Sequence, residues 1–434
     1  MDWSNIYIVC YALAWLGLIH AQKKKVGKIG PATMVMISYF IFAVLAFFYY
    51  NTSVKIYSGN ELTITPFLYL FFMLCLALAP GIYYERANVK TLRTVSILIV
   101  ETFFVIYFVC SVVRLPYILP NMYVGITKIL FDVQGGMDLY VDKQNSIMTA
   151  SDTAISGFYG LVSIVHNVFR DVSVFLIFYY LTLKDKKKPF VVFISIIVIV
   201  DMLYSLSKGE RNNVVLDLFM FAVGFFLFRD FMEKSMRKIL KKIGIVTVVL
   251  FSIPLVAITI SRFGDLQDTT TLNSTVAYAG QAPINFNLYV FETTDIRYGD
   301  RTMNLFKRLL GLDAVSNHEE AQTKYSNLKV DDRVFYTFVG DFVLDFGLFF
   351  SAFLFVITSL CSLMLIRLRG HTMALRQMLV VYFTLNVCAQ GGMYLFSYAY
   401  DSNWRIIGIM FFYCVFAVND SKTPMNAINY LRKV

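Results

Sequence analysis

Apolar residues in this chain run in long blocks, and polar residues gather in the gaps between them. Blocks of about 17 to 25 residues, the length a helix needs to cross a hydrocarbon core of about 30 Å, fall at about 5–21, 31–50, 64–82, 94–113, 158–183, 189–206, 212–229, 243–260, 342–366, 374–396 and 404–418. The pattern predicts an all-α polytopic integral membrane protein with about 11 transmembrane helices, a single transmembrane domain over residues 1–434. The first block begins near Ile6 with no basic residue ahead of it and no small-residue cleavage site behind it, so it is expected to span and not to be a cleaved leader. Two gaps, 114–157 and 261–341, are too long for plain connections and are expected to be external loops that cover or build a site. The second is the longest polar excursion in the chain. It opens at Arg262, passes the basic segment Arg297-Tyr298-Gly299-Asp300-Arg301-Thr302 and closes on Asp341 and Asp345-Phe346-Gly347.

Charge follows the same rhythm. The alternate connections Lys23–Lys25, Arg86–Arg93, Lys184–Lys188, Arg229–Lys242, Arg367–Arg376 and Lys422–Lys433 hold more than half of the 39 Lys and Arg residues and few of the 29 Asp and Glu. The positive-inside rule then makes this side cytoplasmic, with the N-terminus outside and the C-terminus inside. The net charge of +10 is accordingly a topology signal and calls for no nucleic-acid partner. With 58% hydrophobic residues and 16% charged, a soluble class is excluded. The six cysteines lie singly in apolar runs and read as small core residues. The Asp331-Asp332 pair reads as solvated, so no metal and no cofactor are expected.

Cations at the outer boundary carry the candidate chemistry: Arg114 ends the fourth span, Arg170 lies inside the fifth, Lys208 and Arg211 sit between the sixth and seventh, and Arg262 ends the eighth. At about 1.5 Å per residue Arg170 stands about 20 Å up from the basic side, within the core. It shares a helix face with His166 and precedes Asp171. The intramembrane acids Glu101, Asp201 and Asp217 offer such an arginine an internal partner, and they are also functional candidates in their own right. A guanidinium equally suits phosphate, which it binds through two parallel hydrogen bonds. Several such groups at one level predict a diphosphate pocket. A hydroxyl nucleophile would need a base, for which Asp341, Asp345, Glu210, Asp171, His166 and His318 are the outer candidates. Asp341 and Asp345 equally suit the start of the ninth span as helix caps.

The segments Ser207-Lys208-Gly209-Glu210-Arg211, Tyr278-Ala279-Gly280, Pro283-Ile284-Asn285-Phe286, Thr302–Leu310 and Val334-Phe335-Tyr336-Thr337-Phe338, with Arg262, Asp341 and Asp345-Phe346-Gly347, together resemble the oligosaccharide repeat unit polymerases, the O-antigen polymerase group. The resemblance covers about residues 200–365. It implies a membrane glycosyltransferase with a fold like the C type, in the bacterial cytoplasmic membrane, serving lipopolysaccharide or capsule synthesis. Its implied partners are membrane lipid, polyprenyl-diphosphate-linked oligosaccharide donor and acceptor, and a chain-length regulator. Arg211 and Arg262 match the family's arginines, and Asp341, Asp345 and Gly347 its closing motif. A ligase of the same superfamily and a flippase of lipid-linked glycan are the alternatives.

Overall fold

A computed structural model of the chain describes all residues except 1–2, 56–58, 133–134, 136, 140, 143–156, 264–270, 317, 329, 331–333, 369, 421–423 and 427–434; at 130, 211, 254–263, 271–275, 318–319 and 424–426 it describes the backbone alone. Helices α1 (Ser4–Val26), α2 (Pro31–Tyr49, continued by a π-helical turn over Tyr50–Val54) and α3 (Ile64–Arg86) form one group. Then come α4 (Ile97–Phe131), α5 (Phe158–Thr182), α6 (Lys188–Ser207), α7 (Arg211–Phe228) and α8 (Lys234–Phe263). The long polar gap contributes α9 (Thr271–Asn285), α10 (Asn304–Leu309) and α11 (His318–Lys324), and α12 (Thr337–Leu365), α13 (Leu375–Gly391) and α14 (Asn403–Val418) finish the bundle. Among the described residues eight helices are long and apolar enough to cross a membrane: α1 to α6, α12 and α14. A multi-pass, mostly helical membrane protein follows. The three other expected spans are also helical, over α7, α8 and α13.

The core is aromatic. Trp15, Tyr107, Tyr179, Tyr180, Tyr336, Tyr394 and Tyr398 are each fully buried, and Trp15 packs edge-on against both Tyr39 and Phe71 with centroids 4.8 Å apart. Such contacts replace the hydrophobic driving force that a lipid-facing helix lacks. The lipid side is apolar as well, with Phe72, Leu98, Ile245 and Phe349 all exposed.

The all-helical expectation needs one amendment. Thr91–Arg93 (β1) pairs in parallel with Thr372–Ala374 (β2) and antiparallel with Pro424–Asn426 (β3). Three basic connections therefore share one small sheet, and the open edges of such a sheet have no place in hydrocarbon. The Lys28–Asp230 ion pair and the Arg229 hydrogen bond to the Ile29 carbonyl tie the α1–α2 and α7–α8 connections together. Basic segments linked in this way lie on one side.

Both expected external loops are more helical than the polar pattern suggests. α4 continues through Pro116 and Pro120 to Phe131, so the gap at 114–157 begins as helix. In the 261–341 gap, α9 packs along α2. Gly280 is what permits that contact, since a Cβ there would stand 2.5 Å from the Leu45 carbonyl. Replacing Gly280 by valine is expected to cost about 1–3 kcal/mol through overpacking, seen as a lower midpoint of thermal unfolding in detergent; an unchanged midpoint would mean that α9 does not seat on α2.

Candidate functional site

Where α4, α5, α6, α7 and α14 meet the long gap, a cavity of about 440 Å³ opens. Arg114 of α4, Arg170 of α5, Lys208 after α6, Arg405 of α14 and Arg301 of the gap all line it, together with Asp201 and Glu210. Local backbone explains the Lys208-Gly209-Glu210 turn. The Ser205 carbonyl accepts from both the Lys208 and Glu210 amides, and Gly209 has φ 68°, the left-handed conformation that glycine adopts without a steric cost. The side chains on either side are thereby turned into the cavity.

Every guanidinium here has a carboxylate from another segment. Arg170 donates to Asp217 of α7 at 2.5 Å, and Arg114 stands 3.7 Å from Asp201 of α6. Arg405 binds Asp171 of α5 in bidentate fashion, Nε to Oδ2 at 2.9 Å and Nη2 to Oδ1 at 2.6 Å. Asp201 is further held by the Tyr107 hydroxyl at 3.0 Å and by His166 Nε2 at 3.2 Å, while the His166 ring stacks on Tyr107. These pairs orient the guanidinium planes and leave donors over. Among the described residues Arg170 Nε and Asn212 Oδ1 are buried without a hydrogen-bond partner, and a buried polar atom in that state is costly unless water or a ligand meets it.

Asp341 and Asp345, expected as base candidates, lie elsewhere. α12 begins at Thr337, before the expected span, and Gly347 breaks it with φ 75°. The two aspartates thus occupy a short helical segment ahead of the apolar part and share one face. Both are fully buried. Asp345 accepts from Arg297 Nε at 2.8 Å and from the Thr302 amide and hydroxyl, each at 2.7 Å. Asp341 accepts from the Tyr336 hydroxyl at 3.1 Å and the Phe396 amide at 2.6 Å, and pairs with Arg297 at 3.2 Å and Arg301 Nε at 2.7 Å. Neither lines the cavity, and neither caps the helix start. They anchor the long gap to the bundle and hold Arg301 toward the cavity.

Of the expected site residues, Arg114, Arg170, Lys208 and Glu210 come together. The side chains of Arg211, Arg262 and His318 lie outside the described residues, as does the Asp331-Asp332 pair. Glu101 is not among the cavity's lining residues and pairs with Lys187 at 2.7 Å. Arg301 and Arg405 join the site without having been expected there. Arg405 follows Asn403-Trp404 at the edge of an apolar block and reads as a flanking charge; Arg301 carried a visible signal in its spacing of four from Arg297, matching that of Asp341 and Asp345.

Two further hollows adjoin the cavity. One of about 110 Å³ runs between α4 and α6, is lined by Phe108, Val112, Leu115, Phe193 and Ile196, and shares Arg114 and Asp201 with it. The other, about 460 Å³, shares Asn167, Ser402 and Arg405 and is faced by Trp404, Leu309 and Arg308.

Removing one buried partner from the Asp341 cluster is expected to cost about 3–5 kcal/mol, because the other charges stay behind. Asp341→Asn should therefore depress the thermal midpoint far more than Asp401→Asn, whose carboxylate is exposed. A second expectation concerns Asp300, which is buried and bonded by Lys307, Tyr325 and Lys324. Burial pushes its pKa up, but the hydrogen bonds from Lys307, Tyr325 and Lys324 outweigh it and hold the group below the ordinary carboxylate range. The unfolded segment, with an aspartate pKa of about 3.9, then takes up the proton first on acidification. This contribution to stability is complete above about pH 4 and fades as pH falls through the folded pKa. Limited proteolysis of the 295–325 region should quicken below that pH in the wild type, and Asp300→Asn should be cleaved as readily at neutral pH.

Compared with protein-family models, curated proteins and solved structures, the chain finds no match.

Proposed function

We propose that the protein polymerises polyprenyl-diphosphate-linked oligosaccharide repeat units on the outer face of the cytoplasmic membrane. The observation that carries this reading is the convergence of Arg114, Arg170, Arg301 and Arg405, from four separate segments, on one cavity that shares Arg114 and Asp201 with an apolar hollow. That combination suits an amphiphile with an anionic head. An enzyme facing outward meets no nucleotide sugars, so a lipid-linked donor with a diphosphate leaving group is the available chemistry. The prenyl tail would follow Phe108, Val112 and Phe193 between α4 and α6, the diphosphate would lie under the arginines, and the sugars would extend toward Trp404.

In the reaction the bond between the anomeric carbon and the diphosphate oxygen breaks, and a new bond forms to an acceptor sugar hydroxyl. Negative charge builds on the departing diphosphate, where guanidinium groups already fixed by their aspartates need no reorganisation to stabilise it. The hydroxyl proton passes to a base. Of the expected bases, Glu210 and His166 line the cavity; His166 is turned to Asp201, whereas the Glu210 carboxylate accepts from Asn213. Asp201 is committed to Tyr107, His166 and Arg114. Arg211 and Arg262 remain in the proposal as further diphosphate ligands. Eleven spans, a glycosyltransferase fold of the C type and an outward N-terminus belong to the same reading. Its support is that the cavity lies at the end of α7 opposite the basic connection.

Purified protein in vesicles should lengthen a synthetic polyprenyl-diphosphate-linked repeat unit with no ion gradient. Arg170→Ala and Arg405→Ala should each slow elongation about 100- to 1,000-fold, the range for removing one preorganised donor. Arg405→Lys keeps a charge for Asp171 and so should fold, yet it lacks the planar fork and should stay slow. Elongation at wild-type rate by all three variants would sink the proposal.

A further inference from the structure

The far end of α7 carries a second cationic site of a different kind. α7 is 18 residues long, about 27 Å at 1.5 Å per residue, and its C-terminal end meets the start of α8 at a cavity of about 380 Å³. Lys28, Arg229, Lys234, Arg237, Lys238 and Lys241 line it, and among the described residues Asp230 is its one acidic lining residue. A neighbouring hollow of about 320 Å³ shares Lys28, Arg229 and Asp230 and adds Lys25, Arg86 and Glu85, the last already bonded by Gln22 and Thr33. The contrast with the cavity at the other end is one of balance. There each arginine has a buried aspartate of its own. Here Asp230 is already engaged by Lys28 and lies 4.0 Å from Arg229, and the exposed Glu233, just ahead of α8, takes the Ser235 hydroxyl, while α8 itself has no acidic residue in its first turn. Cations in the first turn of a helix also add to the positive end of its dipole, so Lys234, Arg237 and Lys238 together outweigh the single Glu233 carboxylate ahead of them.

We propose that this cleft binds the phosphate headgroup of an anionic phospholipid. Clusters of four to eight Lys and Arg beside a membrane segment recognise such headgroups. The same helix indicates a lipid and not a free anion. Beyond Lys241 and Lys242, α8 presents Ile243, Ile245 and Val246 as exposed residues, a surface for an acyl chain that begins where the cations end. Arg229 is fixed over the Phe226 ring at 4.8 Å and donates to the Ile29 carbonyl, which places one planar donor at the mouth of the cleft. This inference does not rest on the proposed glycosyl transfer, since it concerns the opposite end of α7.

The test uses the full chain in a neutral detergent, titrated separately with dioctanoyl phosphatidylglycerol, dioctanoyl phosphatidylcholine and inorganic phosphate while thermal unfolding is followed. Phosphatidylglycerol alone should raise the midpoint, with a saturable midpoint concentration. Lys234→Gln/Lys238→Gln/Lys241→Gln removes three exposed charges and should weaken that response about 100-fold, at about fivefold per charge. Lys238→Glu alone should weaken it in the same direction, which keeps the test open if the triple variant folds poorly. The control Lys23→Gln/Lys184→Gln/Lys188→Gln, on other basic connections, should respond as the wild type does. Equal loss in the control would mean that any positive charge on this side suffices, and an equal response to inorganic phosphate would mean a free-anion site; either result overturns the assignment.

Discussion

The structure depends on the cost of carrying charge into a low-dielectric bundle. An isolated ion there is penalised by several kcal/mol, so each buried guanidinium is matched by a carboxylate from a different part of the chain. Arg114 with Asp201 joins α4 to α6, Arg170 with Asp217 joins α5 to α7, and Arg405 with Asp171 joins α14 to α5. Arg297 and Arg301 with Asp341 and Asp345 join the long polar gap to α12. Three of these links surround one cavity. The requirement that stabilises the helices in their places therefore also aims their cations at a common point.

The apolar blocks made the helices legible, because a run of spanning length has few other uses. Legibility failed where a helix lacks that property. α9 contains Thr271, Asn273, Ser274, Thr275, Gln281 and Asn285 and reads as a loop, yet it packs along α2 through Gly280. The three-stranded sheet escaped notice for another reason: strands of three residues are too short to show a period.

The site was legible in the same uneven way. Arg170 stands out as a charge inside an apolar run and Arg114 as one that ends a run, and Lys208 and Glu210 stand out as a polar turn between two of them. Arg405 is hidden at a block edge, where a cation is ordinarily a headgroup contact. Asp341 and Asp345 are visible, but a carboxylate near a helix start looks the same whether it meets solvent, a substrate or an arginine. The separation of four in both Arg297–Arg301 and Asp341–Asp345 marks two facing ladders, and only the fold brings them face to face.

The fastening of the long gap has a mechanical consequence. A segment bolted to α12 through two inaccessible aspartates does not swing open as a flap, since lifting it would strand both carboxylates in an apolar interior. The neighbouring helices are equally fixed: Gly125 lets α4 and α6 touch at Ser207, and the apolar hollow between them shares Arg114 and Asp201 with the cavity. The long gap is therefore a rigid wall of the cavity, because the carboxylate that locks the segment down also fixes the direction in which Arg301 points.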